Sequence, residues 1–98
     1  MTKYEIYWVL FAYDDNPNKY KYRPAIILDN SLLTFTKITS NTNRQGNNEY
    51  TIIDWKQAGL QKPSNIRLNK KIPITNNIGM YIGKLTQTDI NNLQILGY

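Results

Sequence analysis

Arg23, Arg44 and Arg67 are the only arginines in this chain of 98 residues, outnumbered three to one by lysine. Two of the three stand among apolar neighbours. Arg23 opens the run RPAIIL, and Arg67 lies between Ile66 and Leu68. A lysine would serve solubility equally well at either place. Arginine adds a planar, five-donor fork that matches a phosphate bidentately. Two readings stay open on this footing: a phosphate contact, or a guanidinium that packs its stem on a sheet edge or makes a surface ion pair. The run LTFTKITS supplies hydroxyls, because an inward Ile38 turns Thr39 to the opposite face, with Ser40 adjacent. There is no cysteine and no histidine. Thiolate nucleophiles, disulfides and cysteine-based zinc sites are therefore excluded, and the commonest acid–base group is missing. Catalysis, if there is any, must run on Arg, Lys, Tyr, Ser, Thr or carboxylates.

These residues need a scaffold, and apolar alternation predicts a mostly antiparallel β domain. YEIYWVLFAY (Tyr4 to Tyr13) is rich in aromatic and β-branched residues on both faces, which predicts a central strand. Turn residues around Asn16-Pro17 end it, and Lys19-Tyr20-Lys21-Tyr22 reads as a polar, basic connection. Arg23 to Leu28 is a second strand with proline at its beginning. Further strands are expected at Leu33 to Ser40, Glu49 to Asp54 and Ser64 to Leu68, with two short ones at Ile72 to Ile74 and Met80 to Leu85. Asparagine-rich stretches (Asn41 to Asn48, Asn76-Asn77) read as loops, and Ala58-Gly59-Leu60 as a turn. Thr86 with Asp89 three residues on forms an Asp variant of the capping box, with Leu85 and Ile90 as a hydrophobic staple. Ile90, Leu93 and Leu96 then recur at helical spacing. The fold class expected is α+β, a small barrel-like sheet with a C-terminal helix.

Length and composition fit that picture. A chain of this size makes one domain, residues 1–98. Its 41% apolar content and twelve aromatics, eight of them tyrosine, suffice for a core. No run approaches a membrane span, and the first residues lack the apolar stretch of a secretory signal, so a cytoplasmic protein is expected. The formal net charge of +5 points to a polyanionic partner.

The order YRPAIIL, ITSN, AGLQKPSNIRL and IGKLT before a terminal helix resembles the MazF/PemK family of ribosome-independent endoribonuclease toxins. The resemblance covers nearly the whole chain. It implies an SH3-like (plug-in) β-barrel, a homodimer, and metal-independent cleavage of single-stranded RNA at short sequences, with no cofactor. It also implies an antitoxin that wraps and blocks the toxin, DNA being met only through the antitoxin complex. Carried over by position, the family's main catalytic pair falls on Arg23 and Thr39, its later arginine on Arg67, and an acidic residue opening the first strand on Glu5. Ser40, Arg67 and Asn69 would contact RNA. Tyr20 and Tyr22, interleaved with Lys19 and Lys21, have the stacking and charge that single-stranded RNA requires.

Two positions depart from the family pattern. The glycine that commonly precedes the acidic residue is Tyr4 here, and an aspartate found in some members two residues after the later arginine is Asn69. An amide cannot accept a proton as a base, though it can hydrogen-bond RNA. Arg23 stays protonated at any working pH, so its expected role is to stabilise charge on the phosphorane, with Thr39. Two alternatives stand beside this reading: a non-catalytic RNA-binding barrel and a gyrase-poisoning toxin of the same fold.

Overall fold

The computed structural model describes residues 1–13, 15–29, 34–43, 46–74 and 78–98. Within them lie β1 (Glu5–Ala12), β2 (Tyr20–Ile26), β3 (Thr34–Thr39), β4 (Glu49–Thr51), β5 (Asn65–Pro73), β6 (Ile78–Lys84) and α1 (Gln87–Ile95). The strands form one antiparallel sheet in the order β4-β5-β3-β2-β1-β6. β1 is paired on both sides, as its doubly apolar sequence requires.

Apolar side chains pack on both faces of the sheet. Ile6, Ile26, Ile38, Ile66 and Leu68 meet Ile90 and Leu93 of α1 in the larger cluster. Val9, Phe11, Ala25, Ile27 and Phe35 form the smaller one. The turn after β4 reaches across to β6. A Cβ on Gly59 would lie 2.5 Å from the Ile82 carbonyl oxygen, and one on Gly83 would overlap the carbonyl oxygen of Ala58. Gly59 also has φ +96°, a left-handed conformation that glycine adopts without strain. The two glycines thus let opposite ends of the sheet meet backbone to backbone.

Several expectations change. Lys19 to Tyr22 is not a connection: from Tyr20 onward it is strand, with Ala12 paired to Tyr20 and Leu10 to Tyr22. Tyrosine suits a half-exposed strand, and lysine on its solvent side does not oppose one. Pro24 consequently lies inside β2 rather than at its beginning. It is tolerated there because the β2–β3 ladder pairs only Ala25 and Ile26. Ile72 to Ile74 is no separate strand, since β5 runs unbroken through Lys70-Lys71 and pairs Lys71 with Thr36 and Ile72 with Phe35. β4 is three residues long, and Ile52 to Asp54 lie beyond it. Leu33, Arg44 and the loop expected at Asn76-Asn77 lie outside the described residues.

At the helix start, Thr86 is the N-cap residue by backbone but makes no side-chain cap bond. Its hydroxyl donates instead to Asp54 Oδ2 at 2.6 Å. Asp89 does not reach back to the cap. It is fully buried and accepts from Tyr50 OH (2.5 Å), Ile53 N–H (2.9 Å) and Asp54 N–H (2.9 Å). Three donors satisfy a buried carboxylate better than one cap bond would, and they clamp α1 to the segment after β4. Leu96 is 55% exposed, so the docking stripe ends at Leu93.

Tyr4 has φ +73°, a left-handed conformation that glycine would adopt without a Cβ penalty. The strain, roughly 1–2 kcal/mol, is offset by a buried ring and a 2.8 Å bond from Tyr4 OH to the Tyr98 carbonyl oxygen.

Candidate active site

Two pockets share a wall made by Arg23 and Ile38. The smaller, of about 280 Å³, is lined by Arg23, Thr39 and Arg67 together with Lys37, Phe11 and Asp15. Strand geometry explains the convergence. β2 and β3 pair Ala25 with Lys37, and the same register carried two residues further sets Arg23 opposite Thr39. On the other side of β3, Thr39 pairs with Asn65, and Arg67 follows two residues on along β5. Alternation then gives Arg23, Lys37, Thr39 and Arg67 one common face.

Each polar group has a definite setting. Arg23 is exposed. Thr39 Oγ1 accepts from Asn41 N–H at 3.1 Å, which leaves the hydroxyl proton to donate elsewhere. Lys37 Nζ stands 5.0 Å over the Phe11 ring, so a cation–π contact holds it at the pocket edge. Arg67 is mostly buried and faces Glu49 across 4.0 Å through Nε. Glu49 Oε1 and Arg67 Nε have no hydrogen-bond partner among the described residues. This ion pair is held by the strand register that sets Glu49 opposite Arg67. Three cations surround the pocket, against Asp15 on its lining and Glu49 behind Arg67. Phosphate is the ligand chemistry this arrangement suits.

The larger pocket, about 400 Å³, receives Lys21, Tyr22 and Ser40. Trp8, Gln61, Lys62 and Tyr81 also line it, and sequence reading had not singled them out for a shared site. Lys37 was within reach, because it shares the period-two face with Thr39. Glu49, Gln61 and Tyr81 come from elements whose meeting no local pattern announces.

Residues 2–95 match the family described as PemK-like, MazF-like toxin of type II toxin-antitoxin system. The chain belongs to that family. PemK-like toxins are generally endoribonucleases, and as the toxin half of a type II pair they act on RNA and have an antitoxin partner. A search of curated proteins finds no significant match to an individual relative. On this PemK-like chain the residues carried over by position do not all come together. Arg23, Thr39 and Arg67 share the smaller pocket, whereas Lys19, Tyr20 and Asn69 are exposed and line neither.

Glu5, carried over as a candidate base if the fold brought it to the groove, lines neither pocket. It shares a face with Val9, the partner of Arg23, but lies four residues away along β1, roughly 13 Å at strand rise. Its carboxylate accepts from Thr2 N–H at 2.5 Å and Tyr7 OH at 3.3 Å. The bond from the Thr2 backbone is the main cause holding its pKa below the ordinary value. Tyr7 is pushed up, first by burial and then by the charge of Glu5. Among the described residues no three carboxylates gather into a metal-binding group, and no helix is long and apolar enough to cross a membrane.

Proposed function

We propose that the chain is a sequence-specific, metal-independent endoribonuclease that cleaves single-stranded RNA by 2′-OH transesterification and is neutralised by a cognate antitoxin. The observation that carries this reading is the grouping of Arg23, Thr39 and Arg67 around one cationic pocket in a PemK-like chain. In the reaction the 2′-oxygen bonds to the adjacent phosphorus, the P–O5′ bond breaks, the 2′-OH loses a proton and the 5′-oxygen gains one. Charge builds on the non-bridging oxygens between these events. The Arg23 fork and the Thr39 hydroxyl stabilise it, and Arg67 holds the phosphate. Preorganised donors of this kind are usually the largest single contribution to such catalysis, and losing one costs roughly 10²- to 10³-fold in rate.

Glu5 has no part in this proposal. Asp15 is the one carboxylate among the described lining residues, and on this reading it accepts the 2′-OH proton. A cytoplasmic homodimer whose sheet is an SH3-like barrel, spanning residues 1–98 as one domain, completes the reading on family grounds.

The test is incubation of single-stranded RNA with the purified protein in EDTA, with product ends mapped. Fragments ending in 2′,3′-cyclic phosphate are expected, and Arg23→Ala or Thr39→Ala should abolish them without unfolding the protein. Intact RNA after long incubation with folded protein would leave a non-catalytic RNA-binding domain instead.

A further inference from the structure

The larger pocket is unlike its neighbour. No carboxylate appears among its described lining residues. Its walls combine aromatic and aliphatic surface with a few polar groups: Tyr22 and Trp8 on one side, Leu60, Gln61 and Lys62 on the other, and Ser40 at the edge. Its volume, about 400 Å³, is in the range that buries a small ligand, roughly 300–1,000 Å³. The composition, aromatic and aliphatic surface beside a comparable share of polar and cationic groups, fits a flat heterocycle with a hydrogen-bonding edge attached to an anionic phosphate.

The walls are preorganised. The Tyr22 ring rests on β6 where Gly79 has no side chain: a Cβ there would meet Tyr22 Cε1 at 3.0 Å. About half of Tyr22 remains open to solvent, so a surface is available for stacking. Opposite, the Ala58-Gly59 backbone packs against Ile82-Gly83, which fixes where Leu60 and Gln61 begin. Ser64 Oγ donates to the Lys62 carbonyl oxygen at 2.8 Å and closes the turn that carries both.

Arg23 is the common wall of the two pockets. A phosphate held by its guanidinium in one pocket leaves the attached nucleoside at the mouth of the other. We propose that the larger pocket takes one unpaired nucleobase of a nucleotide adjoining the phosphate at Arg23. The base stacks on Tyr22, and Gln61 and Ser40 read its edge. This inference deepens the ribonuclease reading and rests on it for the identity of the phosphate, and it makes Gln61 a specificity-determining residue.

Binding can be tested without cleavage. The chain has two tryptophans, Trp8 and Trp55. A Trp55→Phe protein therefore reports on the pocket through Trp8 emission. It is titrated with each of the four nucleoside 3′-monophosphates and with ribose 5-phosphate. Saturable quenching by at least one nucleotide, several-fold tighter than ribose 5-phosphate, is expected. Tyr22→Ala should weaken it about tenfold, the loss expected for one stacked base. Gln61→Leu should alter the order of preference among the four nucleotides.

Nucleotides that bind no more tightly than ribose 5-phosphate would overturn the inference, using the Trp55→Phe protein alone. An unchanged nucleotide order in both Gln61→Leu and Ser40→Ala would overturn the assignment of the readers. The two proposals fail separately: selective nucleotide binding with intact RNA sinks the nuclease reading, and cleaved RNA without nucleotide-selective quenching sinks the base pocket.

Discussion

Arg23 lies opposite Thr39 when the β2–β3 register is carried two residues beyond the Ala25–Lys37 pair, and both side chains line the same 280 Å³ pocket. Arg23 stands in β2 and Thr39 in β3, so their approach does not depend on a loop. Conservative replacements should accordingly separate the fork from the charge. Arg23→Lys keeps a cation but loses bidentate geometry, and a rate loss of about 10²-fold or more is expected. Thr39→Ser keeps the hydroxyl and should stay within about tenfold of wild type. Single-turnover cleavage of a defined RNA oligonucleotide checks both. Equal losses for Thr39→Ser and Thr39→Ala would remove the hydroxyl from the mechanism.

Lys37 contributes charge to the same pocket without a fork. Lys37→Ala should weaken single-stranded RNA binding evenly across sequences and reduce the salt slope by about 0.7, the value for one phosphate contact on a single strand. Binding measured across a salt series on two unrelated oligonucleotides decides it. A sequence-dependent loss would argue for base contact instead.

Glu49 and Arg67 are a mostly buried pair held by strand register. Glu49→Ala leaves a buried guanidinium without its counter-charge, which should cost up to about 3 kcal/mol. The double variant Glu49→Ala/Arg67→Met should recover most of that, because no charge remains to be compensated. Urea midpoints of the three proteins test the point, and a single variant as stable as wild type would show that Arg67 does not need Glu49.

Asp89 joins α1 to the segment after β4 through three accepted hydrogen bonds. Asp89→Ala strands two backbone N–H groups and the Tyr50 hydroxyl, each orphaned donor costing about 1–3 kcal/mol. A loss of about 3 kcal/mol or more in chemical denaturation is expected. A loss below about 1 kcal/mol would mean that the clamp is dispensable.

Tyr50 is pushed up to about 12, first by burial and then by its hydrogen bond to Asp89. An unfolded tyrosine ionises near about 10. Its stabilising contribution is therefore fully present below about pH 10. It is lost as pH rises through the folded value, because the unfolded chain gives up a proton that the folded one keeps. Alkaline denaturation followed by circular dichroism should fall less steeply between about pH 10 and 12 in Tyr50→Phe than in wild type. Identical profiles would show that another group governs that limb.

Sequence reading reached the fold through apolar alternation, which also turned Thr39 and Arg67 away from the core; Arg23, and its pairing with Thr39, came from the family resemblance. It failed where the answer depended on pairing between distant segments. Lys19 to Tyr22 looked like a loop because its lysines and tyrosines carry no apolar stripe, yet β1 supplies a pairing edge that makes most of it strand. Asp89 looked like a capping residue because only local geometry is visible at three-residue spacing; its partners come from residues 50–54. Glu5 was placed by motif position. The strand carries it to the far end of β1 from Arg23.

Gly59 and Gly83 bring two peptide chains into contact with no side chain between them. One wall of the cleft beside that seam is thus set in place by main-chain atoms rather than by side-chain packing. On the base-pocket proposal, retargeting the protein to a different RNA word would proceed by exchanging the functional groups around the rim, at Ser40, Gln61 and Lys62, with that wall kept in place. A selection library restricted to those three codons would sample that repertoire while leaving the seam, and with it the fold, untouched.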